Sequence, residues 1–517
     1  MAETNTTDIT TENDVDTEAA EQVDGVEVGD SRVAIPGMSL EGEKLADDVV
    51  LAEAGEGTAV TGDEAAVVDG TADQGTDPSF GTDSAPLAEE DHGTEQHGAK
   101  KHSHGGGYGI PDSSRAGRLT SYRVEDFPEL TGREEDWRFT PLPRLRGLEK
   151  AELTGPAPEV VVTGRRTDVV AAGSSGSDPA VLDAAALDAA VLDAAVLDAA
   201  VLDSVRVETV GRDDTRIGIG GVPEDRVSAN AWSTFTEATV LTVPVETEVA
   251  GYLHVQITGS SLDPAASHLV IDAQRHSRAV VVLDHQGSAT LAQNVEIRLG
   301  DGADLTVVSL QGWADDAVHV SSQQARVGRD AHLKHVAVSL GGDVVRLTPS
   351  TRYAGPGGDV EMYGLYFADA GQHLEQRLFV DHAQPNCKSR VTYKGALQGK
   401  DAHTVWVGDV LIRPEAEGTD TYEMNRNLVL TDGARADSVP NLEIETGLIE
   451  GAGHASATGR FDDEQLFYLM ARGIDEATAR RLVVRGFLHE IVQQIGVAQI
   501  EERLMAALED ELNAGNL

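Results

Sequence analysis

Between residues 205 and 445, Val, Ile, Leu and Thr alternate with polar residues, as in "ATVLTVPV", "YLHVQI", "HLVIDA", "AVVVLD" and "VEIRL". A period of two places successive side chains on opposite faces of a strand. A longer period lies over it. "RLGDGADLTVVSL", "RVGRDAHLKHVAVSL" and "RYAGPGGDVEMYGLYF" each set a glycine turn before a strand, and Gly300, Gly328 and Gly355 are 28 and 27 residues apart. Short strands with glycine corners at that interval predict a β-solenoid, each rung stacked on the last. An antiparallel sandwich also has many short strands; the regular spacing favours the solenoid.

The pattern turns helical after residue 460. Asp462 is placed to N-cap a helix, with Gln465 at the third helical position. Leu466, Leu469 and Met470 form its expected buried stripe, and Gly473 ends it. A second helix starts at Asp475 and carries Ala479, Leu482, Val483, Phe487 and Ile491 on one face. A third carries Ile500, Leu504, Leu508 and Leu512. Ahead of the strands, Phe127, Trp137 and Phe139 can anchor a segment that Pro128, Pro141 and Pro143 break into short helical pieces. Residues 180–203 repeat a five-residue LDAAV unit. Its leucines step around a helix by about 140°, so no single apolar face forms. It reads as a low-complexity insertion in a surface loop. The expected organisation is a disordered extension over 1–112, an N-terminal helical region with that insertion over 113–204, a β-solenoid core over 205–455 and a C-terminal helical module over 456–517.

Charge sharpens the first boundary. The chain has 517 residues and a net charge of −48. Residues 1–112 hold 27 acidic and 4 basic side chains and, before Tyr108, one aromatic, Phe80. Such a segment buries too little apolar surface to offset its ordering entropy. Its end carries His92, His97, His102 and His104, read as part of a solvated linker. The negative field excludes nucleic acid and anionic membrane surfaces as partners. One cysteine, Cys387, excludes a disulfide framework and an all-cysteine metal site. "MAETNTTDIT" is no signal peptide, and no run of about 18 apolar residues occurs, so a soluble cytoplasmic protein is expected.

Motifs for catalysis fail on inspection. "GALQGKD" lacks the phosphate-loop spacing and its final Ser/Thr, and "HEIVQ" has Gln493 where a zinc-protease helix needs histidine. No GxSxG or GxGxxG occurs, and no enzyme activity is expected.

Four stretches carry a different signal. They are "GREEDWRFTPL", "HAQPNCKSRVTYKGAL", "NRNLVLTDGARADSVPNLEIE" and, over 440–492, a run containing "IEGAGHASATGRFDDEQLF". In this order they resemble the SufB/SufD family of iron–sulfur cluster assembly proteins, its SufD branch in particular, from about residue 113 onward. The resemblance implies a right-handed parallel β-helix between helical N- and C-terminal parts. It also implies a scaffold role: pairing with SufB through the β-helix ends, and docking of the SufC ATPase on the C-terminal helices, where Leu482, Phe487 and Ile491 are the candidate contacts. The cofactor implied is an iron–sulfur cluster, transient and shared with SufB; flavin binding is left open.

His454 aligns with the histidine of the family's C-x-H-G-A-T-like motif, implicated in cluster assembly. Ala452 stands where many members of that branch have cysteine. Sulfur ligands would then come from SufB, with His454 offering one neutral nitrogen, a donor that suits iron. Cys387 is a second metal candidate, activated if Lys388 and Lys394 face it. Two rival readings are a β-helix polysaccharide lyase or hydrolase, which needs clustered carboxylates with a basic residue in a groove, and a purely structural assembly subunit.

Overall fold

The computed structural model describes residues 115–150, 152–166, 198–460 and 463–514. The acidic extension, its histidine tract, most of the LDAAV repeat and the Asp462 cap lie outside the described residues.

The core is a parallel β-solenoid of about eight turns. Strands β1 (Glu159–Arg165) and β2 (Arg206–Gly211) come first, then β3 (Glu237–Val243), β4 (Tyr252–Ala273) and β5 (Arg278–Leu299). Next come β6 (Asp304–Trp313), β7 (Val318–Val327), β8 (His332–Ser339), β9 (Val344–Tyr353), β10 (Asp359–Ala368) and β11 (His373–His382). The last are β12 (Lys388–Leu397), β13 (His403–Ile412), β14 (Asp420–Val429), β15 (Arg435–Ile444) and β16 (Gly451–Gly459). From the long β5, alternate strands stack in parallel. One ladder runs β5-β7-β9-β11-β13-β15 and the other β5-β6-β8-β10-β12-β14-β16. β1 and β2 pair antiparallel with β4 and β3 at the first turn.

The glycine corners hold the rungs close. The Gly300 N–H donates to Ala273 O at 2.7 Å, and that of Gly328 to Leu299 O at 3.0 Å. A Cβ on Gly300 would meet the Arg275 backbone nitrogen at 2.6 Å, so no side chain fits at that crossing. Later rungs lengthen to between 29 and 32 residues, as at Asp359–Lys388–Asp420–Gly451, which is why the early interval does not carry through to the end.

Three apolar clusters follow. The lumen is filled by Leu283, Val307, Leu333, Met362, Val391, Trp406 and their neighbours. On one flank, helix α1 (Arg226–Thr234) and the N-terminal turns lay Trp137, Leu145, Leu148, Val227 and Phe235 on Ala292, Val318, Val320 and Val344. On the other, α3 (Glu476–Val492) and α4 (Ala498–Ala514) lay Val484, Leu488, Ile491, Leu504 and Leu508 on Val308, Val336, Val338, Leu365 and Phe367. Arg503 of α4 fastens this module, donating to Asp284 Oδ2 and Oδ1 at 2.7 and 2.9 Å. Helix α2 (Asp463–Ala471) precedes α3, which Asp475 caps through the Thr478 N–H at 3.0 Å.

Two expectations change. In the described part of 113–204 the short helical pieces are 3-10 turns, and a strand follows them that the helical reading of this region did not include. Its prolines deny the backbone an α-helical ladder, and "EVVVTGR" is β-branched and pairs with β4. The end of the LDAAV repeat, 198–203, is helical and turns Val201 onto the first rung's core, where Gly164 leaves room for the helix backbone. The solenoid also runs on through Gly459, past the expected boundary at 455, because pairing with β14 makes a strand of a Gly/Ala/Ser run that has no alternation of its own.

Candidate functional site

The two ladders end on β15 and β16, and among the described residues no strand pairs with the outer edge of either. The solenoid therefore has an open end. Ile444 and Leu448 are exposed there, Leu448 at 63 %.

Parallel in-register pairing decides which way His454 faces. Successive rungs align Val281, Val307, His335, Met362, Val391, Glu423 and His454 in one column. Every member below His454 is buried. Ala452, two residues before it on the same face of β16, packs against the lumen core. His454 thus ends a lumen column and is exposed, since among the described residues no rung lies above it. Small neighbours allow the strand to lie close: a Cβ on Gly453 would stand 3.1 Å from the Tyr422 ring.

Glu423, one rung below, was not singled out from the sequence. It is fully buried, and neither carboxyl oxygen has a hydrogen-bond partner. Burial, and then the nearby Asp409, pushes its carboxyl well above the usual range. Its Oε2 lies over Gly408, where an added Cβ would meet it at 2.8 Å and the Trp406 ring at 2.5 Å. The signal that could have found it is an acid in lumen phase between Thr421 and Asn425; reading that phase needs the 31-residue rung, not the 27- or 28-residue one.

The frame around these groups is hydrogen-bonded across rungs. Asn427 Nδ2 donates to Asn425 Oδ1 at 2.8 Å, Ser438 Oγ at 2.9 Å and Thr458 Oγ1 at 3.2 Å. Asn425 Nδ2 donates to the Tyr366 hydroxyl at 2.8 Å, and Asn441 Nδ2 to Asp409 Oδ1 at 2.6 Å. The end strands are therefore tied to β13 and β14 beyond their backbone ladder.

Cys387 is elsewhere. It sits in the lumen core with its Sγ 3.5 and 3.6 Å from the carbonyls of Pro385 and Gly355. Burial pushes its thiol up despite the nearby Gly358 and Gly357 N–H groups. Lys394 turns outward to pair with Glu490 and to lie 4.9 Å from the Phe487 ring centre, so it gives no charge to the sulfur. The helical candidates also separate. Leu482 is exposed beside a cavity of about 310 Å³ between α3 and α4, Phe487 is half-buried, and Ile491 is buried on the solenoid. In α2, Leu466 is buried but Met470 is exposed, with Phe467 at 73 % and Tyr468 at 40 %. The expected stripe therefore holds at Leu466 and, half-buried, at Leu469, and fails at Met470.

A buried charged cluster on β11 is closed off. Glu375 pairs with Arg346, lies 3.1 Å from His373 Nε2 and accepts from the Thr140 hydroxyl at 2.7 Å. Arg346 stacks on Trp137 at 4.0 Å. Burial alone would raise Glu375, but Arg346, His373 and Arg377 outweigh it and pull the carboxyl down to about 2. The N-terminal "DWRFTPL" stretch lies over the cluster, so it forms no groove for a polymer. Among the described residues no group of three or more His, Cys, Asp or Glu could hold a metal ion by itself.

Fold and site define a parallel β-solenoid protein whose last rung is open and carries a histidine. Residues 255–487 match the family model described as SUF system FeS cluster assembly, SufBD core domain. An iron–sulfur cluster assembly SufBD family protein of Mycobacterium bovis is 53 % identical over 401 residues, 76 % of this chain and 92 % of that protein. One from Mycobacterium leprae is 52 % identical over 404 residues, 77 % and 94 % of the two chains. The iron–sulfur cluster assembly protein SufD of Escherichia coli is 23 % identical over 301 residues, 51 % and 70 %. The chain belongs to the SufBD family of iron–sulfur cluster assembly proteins of the SUF system.

Proposed function

We propose that the chain is a non-enzymatic scaffold subunit of a cytoplasmic SUF assembly complex. Its open solenoid end pairs with SufB, and its C-terminal module docks the SufC ATPase. The observation that carries this reading is the open last rung, where His454 ends a buried column and stands exposed. An unpaired strand edge with exposed apolar residues such as Ile444 and Leu448 is a surface that another chain's strands can continue. A cluster assembled at that junction is cargo. His454 supplies one nitrogen to it, and with Ala452 giving no thiolate, SufB supplies the sulfur ligands.

The SufC contact falls to exposed residues of the module, Phe467, Tyr468, Met470 and Leu482, since Ile491 is already spent on the solenoid. The closed Glu375 cluster gives the glycan-processing reading no support. Co-expression with SufB and SufC, followed by native mass and by iron and sulfide analysis, tests the proposal. A stable complex that assembles clusters supports it. A chain that binds neither partner sinks it. Assembly at the wild-type rate with His454 replaced leaves a purely structural subunit.

A further inference from the structure

Glu423 is out of place for its column. Its companions are Val281, Val307, Met362 and Val391, and the other polar member, His335, has Gln323 Oε1 at 2.7 Å. Glu423 has no such partner: both oxygens are buried and unbonded. Buried polar groups are nearly always hydrogen-bonded, so an exception calls for a cause. A valine or leucine here would pack the column without that cost.

Its position supplies the cause. Glu423 and His454 are register partners on adjacent parallel strands. Neighbouring strands lie about 4.8 Å apart with in-register side chains on one face, a separation that one metal ion can bridge with a donor from each side. Beyond Glu423 lies the last rung, whose β16 sets only the small residues Gly451, Ala452, Gly453 and Ala455 around His454. Carboxylate oxygen and imidazole nitrogen both suit ferrous iron.

We propose that Glu423 and His454 form a two-point iron site on adjacent rungs of this chain, completed by donors from the partner seated on the open end. The proposal rests on the reading that clusters are assembled at that end. Glu423 is then a direct ligand, giving up its proton to solvent as the metal binds, and its two partnerless oxygens are the donors it offers.

The test uses the complex of this chain with SufB and SufC, titrated anaerobically with ferrous iron and, as a spectroscopic probe, with cobalt(II). Glu423→Gln keeps the shape of the neutral acid but is a poor ligand. Glu423→Leu matches the apolar column. His454→Asn removes the other donor. Each variant is checked for complex formation and thermal stability. Expected is a loss of metal affinity of at least about tenfold in all three, with altered cobalt absorption and intact complexes. Glu423→Leu should also be at least as heat-stable as the wild type. If His454→Asn loses metal while both Glu423 variants bind as the wild type does, the Glu423 site is overturned and the reading of the open end stands. If none of the three changes metal binding, both fall. Reduced metal binding by Glu423→Leu together with lowered stability, and an unchanged Glu423→Gln, would mark the residue as structural and also overturn the site.

Discussion

Glu375 and His454 show how neighbours decide what a polar residue does. Glu375 is held ionised inside the protein by Arg346, Thr140 and His373. Removing one partner of a buried pair strands the other, so Arg346→Met should destabilise the fold by about 3–5 kcal/mol, read from urea denaturation. The pH sign follows from the depressed carboxyl. The folded value is about 2 against an ordinary 4.5, so the stabilisation is fully present above 4.5 and is lost as pH falls toward 2. Urea midpoints measured from pH 6 down to pH 3 should drop in the wild type, and Glu375→Gln should flatten that part of the decline. His454 has the opposite setting, exposed among small residues. His454→Asn should keep the unfolding free energy within the surface range of about ±0.5 kcal/mol, read from urea denaturation, and lower cluster assembly in the complex. Wild-type assembly by this variant would remove the ligand role.

At the scale of elements, the rungs follow from strand alternation and glycine corners, whereas the helices do not follow from their stripes alone. α3 and α4 bury their apolar faces on the solenoid, and α2 is left with Phe467, Tyr468 and Met470 outward. Phe467→Asp should therefore leave circular dichroism unchanged and weaken SufC binding by about 2 kcal/mol, the threshold of an interface hot spot. Ile491→Asp is the contrast: it places a charge in the packed seam and should unfold the module. If Phe467→Asp binds SufC with wild-type affinity, the docking surface is not α2.

For the whole molecule, the two flanks have different covers. The N-terminal segment covers one ladder and the C-terminal helices the other, and neither cover pairs with the strand edges of the last rung, β15 and β16. The acidic residues 1–112 precede every element of that architecture. A chain starting at Ser113 should fold and co-purify with SufB and SufC in wild-type proportions, measured by native mass. Failure to bind either partner would give the extension a part in assembly. The isolated chain should also show no ATP turnover, since the phosphate-loop spacing is missing.

The local pattern was enough for the solenoid, because period-two alternation and a glycine at each early corner are chemical requirements of a rung. His454 is conspicuous locally, a histidine among glycines and alanines, but its candidacy as a ligand comes from the family resemblance and not from that pattern. Glu423 needed the tertiary structure: it is one acid among many until the register sets it under His454 and burial strips it of partners. The same holds for β11, whose His373, Glu375, Arg377 and Asp381 look solvent-facing in sequence yet are buried, since a distant segment carrying Trp137 and Thr140 lies over that ladder. Short-range order is written in side-chain periodicity. Which face is covered, and by what, is decided by contacts between residues hundreds of positions apart, and no local pattern encodes those.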